Sequence, residues 1–529
     1  METGELAAWQ SEAVAPSGWS GFTIQRTAET HYDAMGRKTL EQLREGSAGT
    51  IQTLTQYGYD PLGRLQCTAV RMNPALYAAP PTDVCAPGTA GSFGPDRITH
   101  NAYDLAGQLL QEQRAYGTYA QQTYATYTYG LNGERLSLTD ANGNRAEMRY
   151  DGHGRQDRWT FPSATTPGTV NAADYEDYGY DAAGNRTSLR KRDGSTLTYT
   201  YDALNRMTVK VVPERAGLSA LHTPDVYYGY DLQGHQTFAR FNSTSGTGIN
   251  NAYDGFGRLV SSTADMGGWT WTLGYQYDAD GNRTRLTWPD GNVTTYTYDG
   301  LDRMAGVYEG AGTSVLMASQ SYDAAGQLAG LARRYGDATA YAYDAVGRLT
   351  GLSHDFAGIG GDVAFTFARN PAGQIVSRGR DNDTYSWTGV VNVNRSYAAN
   401  GLNQYTAAGP ASFTYDANGN LTGDGTHSYS YDIENRLVAM TGSPDAALYY
   451  DPLGRLLEVD SGASVTRFLY DGDDLVAEYD GAGNLLRRYV HGGGTDDPLI
   501  WNYGDRNYGD SALIGILVQS RPIRTGRGI

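Results

Sequence analysis

The chain has 529 residues and a formal net charge of −17, with 42 Tyr against 11 Phe, 68 Gly and two Cys. That acidity argues against a nucleic-acid partner, whose binding rests on Lys and Arg neutralising phosphates, and it disfavours anionic membrane surfaces. No stretch approaches the roughly 18 apolar residues of a membrane span, so membrane insertion is not expected; the N-terminus, with Glu2 and Glu5, does not read as a signal peptide.

Residues 1–30 read as a partly irregular lead. From His31 a Tyr-Asp pair recurs 17 times, first at Tyr32-Asp33 and last at Tyr479-Asp480, each followed three residues after the Asp by Gly, Asn or Asp. Tyr180-Asp181 with Gly184, Tyr277-Asp278 with Gly281, Tyr343-Asp344 with Gly347 and Tyr450-Asp451 with Gly454 exemplify the unit. Asn205, Asp302, Asn435 and Asp474 replace Gly in four copies. All three residue types tolerate positive φ, so the position reads as a left-handed turn residue. Many consecutive pairs stand 21 residues apart, as at Tyr180 and Tyr201, a period that marks tandem supersecondary units.

Within a unit a second turn signal lies twelve residues after the Asp, at Asp193-Gly194 and Asp290-Gly291, with Asn142-Gly143 earlier. Such dipeptides predict type I′ hairpins. Between the turns, runs such as Thr196-Leu197-Thr198-Tyr199-Thr200-Tyr201 alternate at period two and read as strand. The expected fold is therefore all-β: tandem antiparallel hairpins in one long meander. Roughly 18 units of two strands would form a sheet on the order of 170 Å wide at about 4.8 Å per strand. Twist makes so wide a sheet curl, so a curved or spiral hollow shell, incomplete in extent, is expected.

The Asp of each pair is expected to accept a backbone N–H two residues on, as in an Asx turn. Arg at the fourth position after it, as at Arg64, Arg155, Arg258, Arg348 and Arg455, can reach back to that carboxylate. Tyr supplies ring area to a thin core while its hydroxyl finds a polar partner. An insertion at 66–95, rich in Pro and Ala, carries Cys67 and Cys85, which read either as a local disulfide or as two unpaired thiols in a surface loop.

Candidate chemistry is sparse. Asp278-Ala279-Asp280-Gly281-Asn282 lacks the Glu that closes a calcium loop and reads as a turn. The eight His are scattered, and the Gly residues do not form a phosphate loop. No catalytic, metal or cofactor site is expected. Trp269, Trp271 and Trp288 either fill the inner face of the sheet or, if exposed, stack on sugar rings, so glycans are the rival class of partner.

The repeated Tyr-Asp-x-x-Gly-Arg/Asn motif resembles the YD repeats of the Rhs (rearrangement hotspot) family. The repeat region spans 31–466; the run Arg467-Phe468-Leu469-Tyr470-Asp471-Gly472-Asp473-Asp474, continuing through Gly483-Asn484-Leu485-Leu486-Arg487-Arg488-Tyr489-Val490-His491-Gly492, resembles the opening of the Rhs-associated core over 467–504. The resemblance implies a hollow β-shell enclosing a C-terminal toxin, a self-cleaving aspartyl plug, and a secreted or cell-surface setting. Residues 505–529 depart from that pattern and are expected to be a divergent, disordered tail, which leaves plug and toxin outside the chain and suggests a truncated or frame-shifted product or a fragment of a larger polypeptide. Asp60-Pro61-Leu62-Gly63 and Asp451-Pro452-Leu453-Gly454 look like the family's cleavage motif but occupy ordinary turn positions, with Pro at the first central residue. The reading is a non-catalytic shell segment, whose partners are a toxin domain or neighbouring shell segments.

Overall fold

The computed structural model describes residues 2–6, 22–358, 360–389, 391–494 and 497–503; the tail at 505–529 lies outside them. The described residues form antiparallel strands throughout, with 3₁₀ turns at Pro74–Leu76 and Ala220–His222 and no α-helix, hence no helix able to cross a membrane. Each strand pairs with its neighbours in sequence, in sheets of 29, 3 and 10 strands. The meander is thus divided rather than one unbroken wall. The first sheet ends at Ile375–Arg380, a short sheet covers Tyr397–Ala399 to Ala411–Ser412, and the last begins at Thr414–Tyr415.

Two further boundaries differ from the sequence reading. The lead at 1–30 already contains wall, since Phe22–Tyr32 pairs with both Glu2–Leu6 and Lys38–Glu45. At residue 467 there is no structural break, because Val465–Asp471 continues the same ladder from Leu456–Asp460.

Period-two burial follows from the alternating pattern. In Thr270–Tyr277, Trp271, Leu273 and Tyr275 are buried while Thr270, Thr272 and Gln276 are exposed. That clean alternation appears where a second layer covers the sheet, and most strands elsewhere are half-buried on both faces.

The wall winds into a spiral, traced by side-chain bonds between successive circuits. Arg26 donates to the Val346 carbonyl across 320 residues. Asn142 meets Asn403 across 261, Asp193 meets Asn418 across 225 and Arg333 meets Leu499 across 166. The span of one circuit falls along the chain, from 320 residues starting at Arg26 to 166 starting at Arg333. The first passes roughly 24 strands, a perimeter of about 115 Å, and the last roughly 17, about 80 Å. The spiral tapers towards the C-terminal strands. There Leu469, Val476, Val490 and Leu499 pack on Leu273, Leu286, Val307 and Leu331 of the earlier circuit, forming an extensive core cluster.

Candidate functional site: the Tyr-Asp turn and the seam between circuits

The repeated turn is built from local hydrogen bonds. Asp344 Oδ1 accepts the N–H of Val346 at 3.1 Å and of Arg348 at 2.8 Å, while Oδ2 accepts Arg348 Nε at 2.6 Å. Asp451 does the same with Leu453, Arg455 and Arg455 Nε, and is itself buried. Where Asn replaces Arg the side-chain amide substitutes: Asn185 Nδ2 donates to Asp181 Oδ2 at 2.9 Å and Asn282 Nδ2 to Asp278 Oδ2 at 3.2 Å. Gly184, Gly281, Gly347 and Gly454 hold φ of 91°, 94°, 81° and 85°. The Asp151 carboxyl is held down to a pKa of about 2, chiefly by the Arg155 N–H.

Turn and neighbour are then locked together. In most repeats the Tyr hydroxyl donates to the carbonyl of the residue that follows the previous turn. Tyr180 reaches Gln156 at 2.9 Å, Tyr277 reaches Leu259 at 2.9 Å, Tyr343 reaches Leu328 at 2.9 Å and Tyr450 reaches Leu437 at 2.8 Å. The turn Arg lies over that same Tyr ring, as with Arg155 on Tyr180 at 4.7 Å and Arg436 on Tyr450 at 4.8 Å, and in several repeats donates onward to the next turn's carbonyl, as Arg155 does to Asp181. The Arg is therefore more than one partner of a surface ion pair: it is stacked, doubly bonded and half-buried.

Two turn expectations are corrected. Asp474 does not take positive φ, because a two-residue loop with Gly472 at φ 61° closes that hairpin and Asp474 pairs directly with Asp471. The Asp-Gly hairpins are not type I′ either. Asp193, Asp290 and Asn142 keep negative φ, and only the Gly turns left-handed, with Gly194 N–H bonded to the Lys191 carbonyl. That is a type I turn followed by a Gly bulge, the three-residue solution. Sequence reasoning also missed turns that lack Tyr-Asp. Tyr129-Gly130 with Gly133, Asn370 with Gly373 and Asn400 with Asn403 adopt the same loop, and their positive-φ residue three positions on was the available signal.

The seam brings together residues far apart in sequence. Asn418 donates to Asp193 Oδ2 at 2.9 Å, Arg215 donates to the same atom at 3.1 Å, and Lys210 pairs with Glu434 at 2.6 Å. Arg283 pairs with Asp471, and Arg488 with Asp290. Burial pushes the Asp193 carboxyl up, but bonds from Ser195, Asn418 and Arg215 outweigh it and hold it below the ordinary range. Crevices of about 610 Å³ beside Arg26 and Asp344 and about 270 Å³ beside Asp193 and Asn418 lie along this seam.

Cys67 and Cys85 are disulfide-bonded, with Cα atoms 5.4 Å apart. Arg71, inside the loop they close, pairs with the buried Asp96 beyond it at 2.7 Å. Trp271 and Trp288 are buried and the half-buried Trp269 packs against the same core, which is the face-filling alternative of the two readings. Trp271 stacks on Tyr479 with centroids 3.9 Å apart. Among the described residues no group of His, Cys, Asp and Glu is arranged to hold a metal. The arrangement grips neighbouring strands, with its Asp carboxylates engaged by backbone and side-chain donors.

The RHS Repeat family profile matches residues 180–215, 253–287 and 277–314. The chain is 37% identical over 106 residues to the tRNA nuclease WapA of Bacillus subtilis (strain 168), a match over 19% of this chain and 4% of that protein. It is 36% identical over 106 residues to the tRNA3(Ser)-specific nuclease WapA of Bacillus spizizenii. In fold it is similar to the Photorhabdus luminescens Tc holotoxin pore, with a TM-score of 0.57 at 13% identity over 91% of this chain and 32% of that one. The chain therefore spans a small part of the proteins it matches. It carries RHS repeats over 180–215 and 253–314, within a series of Tyr-Asp turns that recurs from Tyr32 to Tyr479.

Proposed function

We propose that this chain is a non-catalytic wall segment of an Rhs β-shell that encloses a polypeptide cargo. The observation that carries the reading is the taper: the span of a circuit falls from 320 residues at Arg26 to 166 at Arg333, the geometry of a vessel narrowing towards one end. The cargo of such a vessel would be a toxin domain, and the setting secreted or cell-surface. In this reading residues 467–504 are the start of the core that closes the shell, and Leu469, Val476 and Val490 within them pack on the earlier circuit. The nuclease activity in the names of the WapA relatives belongs to those proteins.

The test is negative-stain imaging with small-angle scattering of the purified chain. A hollow, tapering particle supports the reading; a solid particle of uniform density removes it.

A further inference from the structure

Arg333, at the end of the strand Leu328–Arg333, grips the last described strand, Pro498–Tyr503: its Nε donates to the Leu499 carbonyl at 3.1 Å. The same guanidinium donates from Nη1 to Thr339 Oγ1 at 3.2 Å, and that oxygen lies 3.2 Å from His354 Nδ1. His354 stands opposite Thr339 in the ladder on one side and opposite Val363 on the other. Three hydrogen bonds in series therefore connect a titratable ring to a contact between circuits.

The count of donors and acceptors fixes the state of that ring. Arg has donors only, so Thr339 Oγ1 accepts from it and the hydroxyl hydrogen needs an acceptor of its own. Thr339 is buried, and the acceptor beside it is His354 Nδ1. The ring is then neutral, with its proton on Nε2, which is buried without a hydrogen-bond partner among the described residues. The surroundings favour this state. Phe356 stacks on the ring with centroids 6.0 Å apart, and Phe365 meets it edge-on at 6.4 Å. From the strand Val363–Arg369 it faces Val363 and Phe365, neither of which carries charge. Burial, and then the Arg333 cation, hold the ring below the ordinary His range. The other titratable groups here, Tyr341, Asp337 and Asp497, gather around Arg333.

We propose that His354 is a proton-operated latch on the strand Pro498–Tyr503. While the ring is neutral, Thr339 steadies Arg333 on the Leu499 carbonyl. A second proton turns Nδ1 from acceptor into donor. Thr339 Oγ1 then faces two cationic donors, its own hydrogen loses its acceptor, and imidazolium and guanidinium crowd one oxygen. Arg333 withdraws, and the strand loses its polar grip on the earlier circuit. Because the folded ring binds its proton less readily than the unfolded one, the contact is intact above the ordinary His value of about 6.5 and weakens as pH falls from there through the folded value.

The test follows hydrogen exchange of the 529-residue chain, corrected for intrinsic rates, between about pH 7.5 and about pH 5. Peptides covering 498–503 should open about tenfold more at the acid end, while those from 22–32, at the Arg26–Val346 contact, stay constant. C2–H exchange at His354 should titrate over the same range as the opening. His354→Gln takes no proton, and its side-chain carbonyl still accepts from Thr339, so it should abolish the response and leave the strand closed. Asp497→Asn removes another titratable group near Arg333, and His222→Gln alters a ring stacked on Tyr449 at a different contact; both should keep the response. A His354 ring that titrates at or above about 6.5, opening indifferent to His354→Gln, a response abolished by Asp497→Asn or His222→Gln, or equal loosening of 22–32 would each overturn the proposal.

Discussion

Replacing Asp96 with Ala tests how the insertion at 66–95 is held. The Asp96 carboxylate accepts Met72 N–H at 2.8 Å, Gly88 N–H at 2.9 Å and Arg71 Nη1 at 2.7 Å, and both charged residues are buried. Arg71 also donates to Gln56 Oε1 and to the Ala86 and Val84 carbonyls, so its guanidinium is fully engaged. Asp96→Ala leaves this cation without a counter-charge and two backbone donors without an acceptor, a loss of about 3–5 kcal/mol. The Cys67–Cys85 bond, closing a loop 18 residues apart in sequence, contributes about 3 kcal/mol by chain entropy. Either loss is large against typical domain stabilities, yet an array opens locally, so the readout must be local. Native-state hydrogen exchange of peptides from 66–96 should accelerate about 1,000-fold in Asp96→Ala, taking ~4 kcal/mol at ~1.4 per decade. Peptides from 249–331 should be unchanged. Arg71→Met combined with Asp96→Leu should recover much of the protection, since an apolar pair removes the stranded charge. An acceleration below about tenfold, or one spread equally over 249–331, would refute the reasoning.

Trp271→Ala should cost about 3–5 kcal/mol and loosen both sides of the seam, because the indole stacks on Tyr479; exchange rising only in 259–287 would count against the contact. Gly184→Ala forces a Cβ into φ 91°, a strain of about 1–2 kcal/mol, whereas Asn205→Gly at φ 60° should be nearly neutral; equal effects on exchange in the flanking hairpins would contradict the turn assignment. At the seam, burial raises Asp140, Asp193 and Asp290, but Asn403 and Asn144 at the first, Ser195 and Asn418 at the second and Arg488 at the third more than offset it. Folded values below unfolded ones mean stabilisation that is complete above the ordinary Asp value of about 3.9 and fades as pH falls through the folded values. The radius of gyration should therefore hold from neutral pH to about pH 4 and expand below it; expansion already near pH 6 would point to other groups.

The local unit was legible in the chain because its forces are local. Asp, left-handed residue and Arg lie within four positions of one another, and Tyr grips the turn one unit back, so a period near 21 residues and an alternation of two suffice to specify strands and turns. Even there the backbone chose between two hairpin solutions: Gly194 needs one positive φ where a dipeptide rule assigned two. What lay beyond the sequence is everything set by the perimeter of the spiral. Leu105 and Val346 stand beside equivalent turns, yet one is fully exposed and the other 5% exposed. Trp271 is covered only because Tyr479 arrives from another circuit. Which residues meet across 320, 225 or 166 positions depends on accumulated twist and strand count, and no short window of sequence contains that sum.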